Sequence, residues 1–137
     1  MRVRIAALAD FASIAEGQKL NLLGIFSNLS ASGEPIVHPV MYVVAQFEFR
    51  AGEQGNKASR LALLDEDGRE VVMLTGQLSV PAIPPGETTI VNQIVALNNL
   101  TLPKFGRYEF RLVLDGATVV EIPLTVARAL PPGPLHA

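Results

Sequence analysis

With 137 residues, 49% of them hydrophobic and 18% charged, the chain has the length and apolar content of one domain with its own core. Eleven Lys and Arg against 13 Asp and Glu give a net charge of −2, and the scattered cations form no basic stripe, which excludes nucleic acid as a partner. Cysteine is absent, which excludes disulfides, thiolate zinc sites and a cysteine nucleophile and leans toward a reducing compartment.

The opening MRVRIAALA imitates a secretory signal. Its uninterrupted apolar run is shorter than the roughly 7–15 residues such a segment needs, so residues 2–9 read as a first strand and the expected location is the cytoplasm, with export to the surface without a recognisable signal as the alternative. No apolar run approaches the roughly 20 residues of a membrane-spanning helix, and no membrane partner is expected. Residues 11–19 fit either one helical turn closed by Gly17 or a wide loop. Residues 20–26 form a second strand interrupted by Gly24, the mark of a bulge or a close backbone approach. Residues 27–39 read as a polar loop. Residues 40–50 are dense in β-formers and predict a central strand, with Val43, Val44, Phe47 and Phe49 inward and Tyr42, Gln46, Glu48 and Arg50 outward.

Two hairpins follow. Asp67-Gly68 turns residues 59–65 into residues 69–78, and the prolines of residues 81–87 then end any central strand. Residues 88–97 return as a strand and residues 98–106 cross over. In residues 104–126, Tyr108, Phe110, Leu112 and Leu114 alternate with polar positions, Asp115-Gly116 makes a tight turn, and Val120, Ile122, Leu124 and Val126 line the return. Tyr108 opens its strand just after the crossing, where a tyrosine corner would place its hydroxyl against upstream backbone. The prediction is all-β: a single antiparallel β-sandwich of about eight strands over residues 1–126, then a Pro-rich C-terminal arm over 127–137. An immunoglobulin-like arrangement is preferred, with a C2-like or jelly-roll sandwich as the alternative. Residues 2–9 or the strand beginning at Ser59 are the expected open sheet edge.

Few residues suggest chemistry. Asp65, Asp67 and Asp115 would make a calcium site only if their two hairpin turns converged, because that ion wants six to eight oxygens. As turn formers these residues have an ordinary role. His38 and His136 are too few for zinc. The serines lack a nucleophile elbow, the glycines follow no phosphate-loop spacing, and a Glu48–Glu109 glycosidase pair would sit on outward strand faces. No enzyme activity and no cofactor are expected.

The stretch ALADFASIAEGQKLNLLG carries Ala9, Asp10, Ala12, Gly17, Lys19, Leu20, Asn21, Leu23 and Gly24. In these residues, and in HPV, LLDEDGREV and KFGRYEFRLVLDG, the chain resembles an uncharacterised bacterial family of short single-domain proteins, a domain of unknown function. Gln18 is an extra residue against that pattern. The resemblance implies a β fold and a bacterial origin and transfers no activity, cofactor or catalytic residue. Asp10 is the family-like residue of most interest, with hydrogen bonding to the backbone of residues 11–19 as its ordinary role. The expected function is a non-catalytic interaction or self-assembly module, a homo-oligomer or filament or a docking domain for a protein partner. Asp10, Tyr42 and the tail residues Pro131, Pro132, Pro134 and Leu135 are the contact candidates. A ligand- or calcium-binding sandwich using its loop tips is the alternative.

Overall fold

A computed structural model of the chain describes residues 1–130. Among the described residues nine strands form: β1 (Arg2–Ala15), β2 (Lys19–Phe26), β3 (Asn28–Ala31), β4 (Ile36–Arg50), β5 (Gly55–Leu64), β6 (Glu70–Val80), β7 (Thr88–Leu102), β8 (Gly106–Leu114) and β9 (Ala117–Arg128). They make two sheets, β2-β1-β4-β7 and β3-β9-β8-β5-β6. Phe47, Phe49, Leu8 and Leu102 of the first meet Phe110, Leu63, Leu124 and Val126 of the second in one core. Each such side chain contributes about 1.5–3 kcal/mol by leaving water.

The two predicted hairpins are present. Asp115 and Gly116 both take positive φ (47° and 82°) to join β8 to β9, and Asp65 accepts the Gly68 N–H (3.0 Å) to turn β5 into β6. The long strand expected from residue 40 is central, between β1 and β7, but it starts at Ile36, within the stretch expected to be loop. The tyrosine corner also forms: Tyr108 is buried and its hydroxyl donates to Lys104 O at 2.6 Å.

Other expectations need correction. Residues 11–19 are neither helix nor wide loop, because β1 continues to Ala15 and a turn at Glu16–Gln18 leads into β2. Gly17 takes the left-handed conformation expected of it, and the extra residue Gln18 shares it at φ 61°. The polar loop contains β3, which runs parallel to β9, so the sandwich is not wholly antiparallel. β7 continues to Leu102 through what was read as the crossing. Of the two expected edges, the strand at Ser59 is closed, since β5 lies between β8 and β6, whereas residues 2–7 of β1 pair with β4 alone, because β2 joins β1 only from Leu8 onward. The ends of the sheets are β2, β7, β3 and β6.

The largest departure is in the outer face of the first sheet. Val44 and Gln46 alternate with the core-facing Val43, Ala45 and Phe47, so they point away from the second sheet, yet both are buried. The β1–β2 hairpin covers them. β1 pairs with β4 only as far as Ala9–Tyr42. At its tip, Gln18 O accepts a hydrogen bond from Asn92 Nδ2 (3.3 Å), and Asn92 in turn accepts from Gln46 (2.9 Å). The register pairs Gln46 with Asn92, four residues behind Tyr42, so the hairpin swings back across the sheet as a third layer. Ala7 and Ala9, both buried, supply the small side chains that let it lie close.

Candidate interaction surfaces

The arm bends where its ladder is interrupted, between the Ala9–Ile25 and Phe11–Leu23 pairs. There Gly24 holds φ 68° and Asp10 packs over it. This is the contact the structure shows for Asp10, in place of the expected bond to the backbone of residues 11–19. Beyond the bend, Phe11 meets Tyr42 edge to face at 5.6 Å, leaving Tyr42 half-buried rather than the exposed aromatic expected.

Folding the arm over the sheet leaves an apolar crest. Leu23 and Ile25 are 68% and 65% exposed, with Phe11 paired to Leu23 and also open to solvent. Val40 and Val37, on the neighbouring stretch of β4, are exposed too. Exposed apolar residues are ordinary when single and informative when contiguous.

The carboxylates are structural. Asp65 Oδ1 accepts the N–H groups of Asp67 and Arg69, both at 2.9 Å, and closes its own turn. Glu66 reaches across to the β7–β8 corner and accepts the Arg107 N–H (2.8 Å), packing over Gly106 at φ 137°. Glu34 accepts the neighbouring Phe105 N–H (2.9 Å), so two loops are fastened to one corner. Asp115 accepts from the Ala58 N–H (2.8 Å) at the far end of β5, about 20 Å of strand from Asp65. Asp65, Asp67 and Asp115 therefore do not converge, and no group of three metal-ligating side chains occurs among the described residues. Glu48 pairs with Arg2 (2.9 Å) and Glu109 with Arg111 (2.7 Å) on the outward faces of opposite sheets. His38 lies against Phe26, their rings 6.0 Å apart. Pro131, Pro132, Pro134, Leu135 and His136 lie outside the described residues.

Burial raises the Tyr108 pKa above its usual 10.0, the Lys104 N–H opposes that shift, and the nearby carboxylates of Asp65, Glu34 and Glu66 push the same way as burial. Sequence reasoning missed the crest because it placed residues 11–19 in no strand. The runs of residues 11–15 and 19–23 around Gly17 signalled a hairpin, but not where it comes to rest.

A two-sheet β domain with an apolar crest on a folded-back arm is the class of protein these features define. Residues 4–127 match a family of unknown function, DUF6941. The chain belongs to that family. No curated protein matches it.

Proposed function

We propose that this domain is a non-catalytic interaction module that associates with a second copy of itself through the crest of the β1–β2 arm. The observation that carries the reading is the side-by-side exposure of Leu23 and Ile25, at 68% and 65%, on a strand that is also the end of its sheet. Within β2 only Lys19 is charged, so a copy meets its own image without like-charge repulsion. The absence of cysteine supports the cytoplasm as its place.

We also infer an immunoglobulin-like arrangement. Its support is the strand order, with β3 parallel to β9 at one end of the five-stranded sheet, together with the Tyr108 corner at the start of β8.

Backbone amide exchange of β2, followed at low and high protein concentration, tests the association. Protection of residues 22–26 that grows with concentration is the expected result. Exchange independent of concentration overturns it.

A further inference from the structure

β6 and β7 each end a sheet, and they border each other on the same side of the sandwich. β7 is 15 residues long and contains no charged residue and no proline. Natural open edges use such residues, and bulges, to discourage pairing; β7 has neither charge nor proline, and its one left-handed residue, Asn99 at φ 53°, leaves residues 88–98 as the regular edge. Its outward N–H and C=O groups are therefore free to pair with another strand.

β6 shows what would lie opposite such a strand. Val72 pairs with Leu63 and Leu74 with Leu61, both core residues, so Val72 and Leu74 point to the inter-sheet side. Leu74 is nevertheless 41% exposed, and Val72 is only half-buried. β6 overhangs beyond β7, and the two strands border an open groove between Leu74 and the Ala96–Leu100 part of β7. Gly76 belongs to the same row, paired with the buried Ser59. Its φ is not in the left-handed region, and an added Cβ would meet nothing within 4 Å. Neither backbone nor internal packing requires a glycine there. The space above it is open, and a glycine inside a strand commonly marks the approach of another backbone.

We propose that this groove receives one extended strand from a partner chain, hydrogen-bonded along β7 and covering Val72, Leu74 and Gly76. The occupant is proline-free and apolar at alternate positions, because a charge turned inward would be buried against Leu74 with no counter-charge on β7. The site is separate from the β2 crest and does not rest on self-association there.

The test is selection of peptides from a displayed random library of about twelve residues on the full chain, followed by affinity measurement on variants. Enriched peptides should be proline-free with alternating apolar residues. Gly76→Val adds a side chain to open space in a strand and should fold as the parent does. Gly76→Val and Leu74→Lys should each weaken binding by at least about tenfold, the equivalent of about 1.4 kcal/mol, while Leu23→Glu on the crest leaves it unchanged. No enrichment, or peptides bound equally by Gly76→Val and Leu74→Lys, overturns the proposal. Peptides lost on Leu23→Glu alone would place binding on the crest and overturn it too.

Discussion

Asp10 lies across Gly24, so that a Cβ built on the glycine would come within 2.9 Å of Asp10 Cγ. The pair sits at the bend that turns the β1–β2 arm back over the sheet. Glycine serves there twice, through its φ of 68° and through the room it leaves the carboxylate. Gly24→Ala should lower stability by about 1–3 kcal/mol, read from the urea midpoint. In an Asp10→Ala background part of the penalty, the collision, disappears while the backbone strain stays. Equal penalties in both backgrounds would mean that the contact carries no energy.

Asn92 fastens the arm tip by donating to Gln18 O while accepting from the buried Gln46. Asn92→Ala strands the Gln46 amide and should cost about 1–3 kcal/mol. Amide exchange in residues 12–22 should quicken more than in the β8–β9 hairpin. Uniform quickening across both would mean that the arm has no stability of its own to lose.

Tyr108 joins burial to a hydrogen bond at the β7–β8 corner. Tyr108→Phe should cost about 0.5–1.5 kcal/mol at neutral pH. Because the folded-state pKa is raised above 10.0, the unfolded chain loses this proton first. The contribution is therefore full below about pH 10 and is lost as pH rises through the folded value. The stability gap between the parent and Tyr108→Phe, measured by urea unfolding, should narrow across that window and stay constant below it.

Gln93 donates to Ser59 Oγ (2.8 Å) between the sheets, but its Oε1 is buried without a partner among the described residues. Replacing both residues by apolar ones removes an unmet acceptor, so Gln93→Leu with Ser59→Ala should leave stability unchanged or raise it by about 1 kcal/mol. Thermal unfolding of the double variant decides this, and a fall of several degrees would count against it.

The hairpins were legible because alternation and Asp-Gly turns are local signals: Tyr108 to Leu114 announces its buried face without reference to any other strand. β3 was hidden because its four residues pair in parallel with β9, almost a hundred positions away. Gln46 was assigned outward on sound alternation and is buried because a third layer covers it. That layer depends on the bend at Gly24, which the sequence marked as irregular without showing its direction. The crest was illegible for the same reason, since exposure of Leu23 and Ile25 follows from where the arm comes to rest.

Molar mass by light scattering across a concentration series, on the full chain and on Leu23→Glu, tests self-association through the crest most directly. The account predicts a mass rising from 14.7 kDa toward a discrete multiple in the parent, and a variant that folds normally and stays at 14.7 kDa. A parent that remains at the monomer mass throughout, or a variant that assembles equally well, would contradict it.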